Sequence, residues 1–146
     1  MRTILIALLM ALATQAQSDK SRTTLFDKSF TAKGENFYIN LSDNAINACW
    51  TNLKESREYI EEKLRSKGAT VVEKGDDTTY SLNLSVLGLR NGQLCSGYIQ
   101  VDIVDLQYYA NGRWAVVQAY GYLITNVSKM NDTVIETIQI LFEEVN

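Results

Sequence analysis

Residues 80–86 have the sequence Tyr80-Ser81-Leu82-Asn83-Leu84-Ser85-Val86, and this stretch decides the fold. Apolar side chains alternate with small polar ones, so the pattern has a period of two residues. Successive side chains of a β-strand point to opposite faces of a sheet, and this alternation is typical of a strand buried on one face. We therefore expect a sheet with one covered face and one polar face.

Two Asn-Gly pairs follow this strand and predict tight turns, because both residue types tolerate a positive φ. They are Asn91-Gly92 and Asn111-Gly112. Between them, residues 94–109 form a long predicted strand whose apolar side changes parity at Ile103-Val104, which indicates a β-bulge. Residues 114–125 form the predicted return strand, which carries apolar residues on both faces.

A strand, a helix and a second strand precede this meander. Residues 37–41 and 69–73 are the two predicted strands. Ser42 or Asp43 is predicted to cap the helix between them, and Gly68 stands where a left-handed residue ends many helices. The helix is expected to bury an apolar stripe with Trp50 beside it; the stripe consists of Ile46, Cys49, Leu53, Ile60 and Leu64.

A second amphipathic helix is predicted to begin at Asn131 or Asp132 and to belong to the domain core. Its stripe consists of Val134, Ile135, Ile138, Leu141, Phe142 and Val145. The element order β-α-β-β-β-β-α predicts an α+β fold, a two-layer sandwich whose mostly antiparallel sheet of about five strands carries two helices on one face. The first helix joins two strands, and these could be parallel through a right-handed crossover.

The first 16 residues have the layout of a secretory signal peptide. Arg2 is followed by the uncharged apolar run of residues 4–13 and by small residues at the expected cleavage site. The run is shorter than the roughly 20 residues of a membrane-spanning helix, although a retained anchor or a buried helix is the alternative. We therefore expect a periplasmic or secreted chain without a stable membrane anchor, with a polar arm over residues 17–34 and a single domain over residues 35–146.

Cys49 and Cys95 are the only two cysteines, and an even pair in an oxidising compartment predicts a disulfide. Two separate buried thiols are the alternative. Two thiolates without any histidine do not complete a zinc site, so no metal is expected. The formal net charge of -3 argues against nucleic-acid binding, which depends on clustered Lys and Arg.

The absence of histidine removes the usual general base near neutral pH, and with it the Ser-His-Asp and Cys-His systems. Carboxylate pairs of the kind that glycosidases use remain as a route to catalysis. The candidates are Asp102 and Asp105 on the long strand and Glu143-Glu144 near the end of the chain. A regular strand would place the two aspartates on opposite faces. We predict no catalytic residue and no cofactor.

Aromatic side chains are concentrated in the two longest predicted strands. Ordinary sheet packing is one explanation, because aromatic residues are good strand formers. The functional interpretation is an exposed aromatic strip on the sheet face away from the helices, which could bind a protein or a glycan. The binding residues predicted for this strip are Tyr98, Tyr108, Trp114, Tyr120 and Tyr122.

The layout from Phe37 to Val86 resembles that of small Gram-negative envelope proteins. A short strand continues through Asn40-Leu41-Ser42 into a charged helix that ends in Lys67-Gly68, and two strands follow, the second opening with Tyr80. This order is similar to the core of TraT-type surface-exclusion lipoproteins and LptE-like outer-membrane assembly lipoproteins. The lipid-bearing cysteine of those families is missing here. The resemblance implies a periplasmic binding or assembly role without catalysis.

These features predict a non-enzymatic periplasmic or secreted binding protein that docks a protein partner in the cell envelope through its sheet. The strand at residues 114–125 supports this function, because one of its two apolar sides would be covered by the partner. Two alternatives remain. They are a small secreted glycan hydrolase that uses carboxylates, and a secreted inhibitor or immunity-type protein.

Overall fold

The computed structural model describes residues 24–26, 30–75, 77–109 and 115–143. It confirms the α+β class and the predicted order of strands and long helices, and it adds one short helix after the fourth strand. The elements are β1 (Asn36–Ile46), α1 (Leu53–Ser66), β2 (Thr70–Val71), β3 (Tyr80–Asn91), β4 (Leu94–Asp105), α2 (Leu106–Tyr109), β5 (Ala115–Val127) and α3 (Met130–Phe142).

The five strands form one mixed sheet in the order β2-β1-β3-β4-β5. β1 is parallel to both of its neighbours, whereas the β3–β4 and β4–β5 ladders are antiparallel. β1 and β2, which α1 connects, are parallel as predicted. The long central ladders therefore align β1, β3 and β4, and they place every second side chain of these strands on the same face.

The hydrophobic core lies between the sheet and the two long helices. Leu82, Leu84 and Val86 of β3 are fully buried, as are Ile60 and Leu64 of α1. α3 contributes its own buried residues to the same cluster, so both helices cover the same sheet face. The buried residues of α3 are Met130, Val134, Thr137, Ile138, Leu141 and Phe142.

β1 is longer than predicted, and α1 starts later. The parallel ladder between β1 and β3 continues as far as the pair Ile46 and Leu89, so residues 42–46 are strand. Asn47 and Ala48 then have φ values of 58° and 55°, which a right-handed helix cannot contain. The prediction that Ser42 or Asp43 caps the helix is therefore wrong, because strand pairing outweighs the helix-like spacing of Ile46, Cys49 and Leu53.

The end of α1 agrees with the prediction. Gly68 has a φ of 83° and donates its N–H to the carbonyl of Arg65, and Ala69 donates to the carbonyl of Leu64. These two bonds form a Schellman motif, which pairs carbonyl groups that the helix end would otherwise leave free. On the helix surface, Arg65 bonds to Glu61 at 2.7 Å.

The β3–β4 turn confirms the first Asn-Gly prediction, with Gly92 at a φ of 61°. The second pair, Asn111-Gly112, lies outside the described residues. β4 ends at Asp105 instead of Tyr109, because Asp105 Oδ1 accepts the N–H of Gln107 at 2.9 Å and so caps the first turn of α2. A register shift lies at Ile103/Val104, where the bulge was predicted, but the extra residue is on β5, and β4 itself stays in regular register with β3.

The predicted polar arm is wrong for the part of it that the structure describes. Leu25 is fully buried, and its N–H donates to the carbonyl of Leu141 on α3. Phe26 packs against Phe30, Phe37 and Phe142. Residues 17–34 are polar on average, but they include a few large apolar residues that belong to the core. The domain core therefore begins before residue 35.

α3 begins at Met130, with Lys129 as its N-cap and no side-chain cap. Asn131, a predicted cap, instead accepts the N–H of Thr51 at 3.0 Å and holds the β1–α1 connection. Val145 lies outside the described residues, which contain no helix long and apolar enough to cross a membrane.

The predicted disulfide is confirmed. Cys49 and Cys95 are bonded, their Cα atoms lie 5.8 Å apart, and both residues are buried. Cys49 lies in the β1–α1 connection and not on the helix stripe where the sequence placed it. The bond therefore fastens this connection to the first residues of β4.

Candidate functional site

The sheet face opposite α1 and α3 is named the open face. Strand register places its side chains in rows that run across β1, β3 and β4. One row consists of Asn40, Asn83 and Asp102, and another contains Leu87 and Tyr98 beside Leu123 of β5. The open face thus has a polar end, near the start of β3, and an apolar end, near the β3–β4 turn.

The apolar end carries a continuous group of exposed side chains, named the apolar patch. Leu87 is opposite Tyr98, which is opposite Leu123, and Ile46 is opposite Leu89. Leu123 is 78% exposed and each of the others at least 40% exposed. The patch consists of Ile46, Leu87, Leu89, Leu94, Tyr98 and Leu123.

Tyr98 lies across Gly121 of the neighbouring strand. A side chain at position 121 would collide with the Tyr98 ring and hydroxyl, so the glycine leaves the space that the ring occupies. The ring is therefore laid against the sheet and does not stand up from it. This arrangement keeps the apolar patch flat, which favours contact with another flat surface.

The polar end forms an open cleft of about 420 Å³. Its floor is made by β1, β3 and β4, and Lys74 of the β2–β3 connection and Leu106 of α2 lie at its sides. Asn83 Nδ2 donates to Asp102 Oδ1 at 2.6 Å, and Ser81 donates to Asn83 Oδ1 at 2.8 Å. The polar cleft is lined by Tyr38, Asn40, Lys74, Ser81, Asn83, Asp102, Val104 and Leu106.

No protein-family model and no curated protein matches this chain. Among solved structures, it is similar to the PelC dodecamer of Paraburkholderia phytofirmans in two crystal forms, each with a TM-score of 0.53. In the form with a methionine substitution the identity is 12%, over 77% of this chain and 88% of PelC. In the other crystal form the identity is 13%, and the match covers 80% of this chain and 92% of the PelC chain. This likeness shows the fold alone.

A weaker likeness joins this chain to a crystal structure described as a homologue of neuraminyllactose-binding hemagglutinin from Helicobacter pylori. The TM-score is 0.42 and the identity 11%, and the match covers 82% of each chain.

The five predicted binding residues do not form one strip. Tyr98 lies on the open face, whereas Tyr120 and Tyr122 are opposite Val101 and Ile99 and pack against the core. Tyr120 also donates its hydroxyl to the carbonyl of Thr24 at 2.7 Å. This placement depends on the bulge in β5 and on the strand register, neither of which could be predicted from the sequence alone. The side chains of Tyr108 and Trp114 lie outside the described parts of the chain.

Among the described residues, the candidate carboxylates do not come together as a pair with one another. Asp102 lies on the open face, whereas Asp105 caps α2 and belongs to the opposite parity of β4. Glu143 follows the last residue of α3, and Glu144 lies outside the described residues. Among the described residues, no group of three His, Cys, Asp or Glu side chains could hold a metal ion.

Tyr80 is partly buried and packs against the core. Burial raises the pKa of its phenol, and the nearby negative charges of Glu35 and Asp105 raise it further. Its partly buried ring packs against Phe30 and Phe37 at the border of the core.

The sequence contained a signal for the apolar patch that the predictions missed. Leu87 and Leu89 have the same parity as Ser81, Asn83 and Ser85, so the alternation places them on the polar face of the strand. Because the predicted strand ended at Val86, Leu87 and Leu89 were not assigned to that face. The polar cleft had no such signal, because it depends on the pairing of three strands and on the position of Lys74.

Proposed function

We propose that this chain is a non-enzymatic binding protein of the periplasm or the extracellular space, and that it docks a protein partner through the apolar patch. The observation that carries this proposal is the continuity of the patch across four strands of the open face, β1, β3, β4 and β5. Large contiguous apolar surfaces are uncommon on monomers and are typical of interaction sites. Neither long helix covers this face.

The composition of the patch and its surroundings fits an interface. A flat tyrosine surrounded by leucines offers contact area without burying a charge. Polar side chains of Asn44 and Gln100 adjoin it and would form the solvated rim, whereas Ser96 lies within it, opposite Leu89. The exposed apolar residue Leu123 stands on β5, the last strand of the sheet, so a partner can approach from the side as well as from above.

The disulfide supports the compartment. Structural disulfides form and persist in oxidising surroundings, and the bond between Cys49 and Cys95 fits a chain that has been exported. The signal peptide predicted over residues 1–16 would provide the export, although it lies outside the described residues. Cleavage of the exported protein after residue 16 is expected and can be read by N-terminal sequencing.

A second copy of this chain is the first partner to test. PelC, which shares the fold, was solved as a dodecamer. Self-association would cover the patch, because two flat apolar surfaces of the same shape can meet without opposing charges. A different envelope protein with an apolar surface is the other partner that the patch fits.

The test uses two variants that differ in the face they change. Leu123→Asp places a charge in the apolar patch, whereas Ile140→Asp places one on an exposed apolar residue of α3. Sedimentation of the mature chain should show concentration-dependent association that Leu123→Asp abolishes and Ile140→Asp preserves. A photo-crosslinking residue at position 123, but not at position 140, should give one discrete adduct in cells. A monomer at all concentrations, together with no adduct at position 123, would reject the proposal.

A further inference from the structure

We propose that the polar cleft is a separate ligand site that binds a neutral sugar ring of a glycan. The cleft lies at the opposite end of the open face from the apolar patch. Its volume of about 420 Å³ lies in the range of small-molecule sites, which is about 300–1,000 Å³. It is therefore large enough for one or two sugar units.

The floor of the cleft is organised before any ligand arrives. Asn83 is held by Ser81 on one side and by Asp102 on the other, at 2.8 and 2.6 Å. Gln100 donates to the second oxygen of Asp102 at 3.1 Å, so both carboxylate oxygens have a fixed direction. Fixing the groups in advance reduces the entropy that binding would otherwise cost.

Other polar groups of the cleft have no partner within the described residues. Lys74 can donate three hydrogen bonds, Asn40 can both donate and accept, and Tyr38 carries a free hydroxyl. Asp102 keeps further acceptor capacity on its two oxygens. The cleft therefore offers both donors and acceptors, and the hydroxyl groups of a sugar need both.

The balance of charge and of apolar surface points to a neutral sugar. Lys74 and Asp102 carry opposite charges, so the cleft favours neither an anion nor a cation. Tyr38, Val104 and Leu106 provide apolar surface against which the C–H face of a pyranose ring can pack. A peptide strand is a poorer fit, because the backbone groups of β3 and β4 that underlie the floor are already paired in ladders.

Titration of the mature protein with soluble trisaccharides tests this site. The probes are maltotriose, cellotriose and chitotriose, with a galacturonic acid trimer and a tri-alanine peptide as comparisons, followed by NMR of amide groups. At least one neutral trisaccharide should give saturable shifts at the side-chain amides of Asn40 and Asn83. Binding by none of the neutral probes up to about 10 mM, or binding by the acidic trimer or the peptide alone, would overturn the proposal.

Variants separate this site from the apolar patch. Asn40→Ala removes an exposed amide and leaves the Asn83–Asp102 pair intact, so the fold should be kept. We expect Asn40→Ala and Asp102→Ala each to weaken sugar binding roughly tenfold, the usual effect of losing one good hydrogen bond. Leu123→Asp should leave sugar affinity unchanged. If Leu123→Asp and Asn40→Ala weakened sugar binding equally, the ligand would not lie in the cleft. This outcome would overturn the cleft proposal independently of the test of the apolar patch.

Discussion

Arg90, near the end of β3, shows how one side chain stabilises an irregular connection. Its Nε donates to the carbonyl of Asn47 at 2.9 Å, and its Nη2 donates to the carbonyl of Ala48 at 2.8 Å. Both acceptors belong to residues with a positive φ, whose carbonyl groups no helix or strand pairs. A planar guanidinium can satisfy two such acceptors at once, which an ammonium group cannot do in the same geometry.

Arg90→Ala should therefore lower the free energy of unfolding by about 1–2 kcal/mol, because two hydrogen bonds from a charged donor are lost at a solvated site. Arg90→Lys should recover little of this loss. Arg65→Ala is the matched control, since the exposed pair of Arg65 with Glu61 is expected to contribute about 0.3–0.5 kcal/mol. Urea denaturation measures all three variants. Equal losses for Arg90→Ala and Arg65→Ala would contradict the role given to Arg90.

At the scale of elements, the observed fold differs from the predicted one at the connection between β1 and α1. Ala48 has a φ of 55°, a conformation that costs an alanine roughly 1–2 kcal/mol and a glycine almost nothing. Ala48→Gly should therefore stabilise the protein by about 0.5–1 kcal/mol, after allowing for the greater freedom of glycine in the unfolded chain. Had residue 48 been inside a helix, the same change would destabilise it by about 1 kcal/mol.

The control for this prediction is Ala119→Gly, at an exposed position of β5 with ordinary strand geometry. It should destabilise the protein by about 0.5–1 kcal/mol. Thermal unfolding of the two variants should thus shift in opposite directions. A loss of stability in both would mean that residues 47–48 do not adopt the left-handed conformation in solution.

The elements that the sequence predicted well are those whose signal is local. The alternation of residues 80–86, the Asn91-Gly92 turn and the end of α1 at Gly68 each depend on a few neighbouring residues. The start of α1 and the length of β1 depend instead on pairing with β3, more than 40 residues away, as in the pair Ile46 and Leu89. For the same reason the sequence predicted an aromatic strip and missed the polar cleft, since both depend on strand register.

For the whole molecule, the disulfide closes a loop between residues 46 positions apart. In the chain-entropy model a crosslink of this span stabilises the folded state by about 4 kcal/mol. The double variant Cys49→Ala/Cys95→Ala should lose about 3–4 kcal/mol of unfolding free energy. Thiol titration of the denatured, unreduced wild-type protein should find no free thiol. Two reactive thiols per chain would show that the bond does not form.

The last element, α3, ties the two ends of the described chain to one core, and the whole fold should fail without it. Val134, Ile138 and Leu141 are almost completely buried, and the carbonyl of Leu141 accepts the N–H of Leu25. Each buried side chain contributes about 1.5–3 kcal/mol as an upper bound, and the sum rivals the roughly 5–15 kcal/mol that stabilises a whole domain. Deletion of residues 131–146 should therefore give an aggregating or unfolded chain.

Two isoleucines of α3 keep this prediction testable if the truncated chain cannot be purified. Ile138 is buried and Ile140 is 43% exposed, although both belong to the same helix. Ile138→Ala should cost about 2–5 kcal/mol, because it leaves a cavity in the core. Ile140→Ala should change stability by less than about 0.5 kcal/mol. Similar small losses for both, with a truncated chain that melts cooperatively near the full-length midpoint, would make α3 a docking arm outside the core.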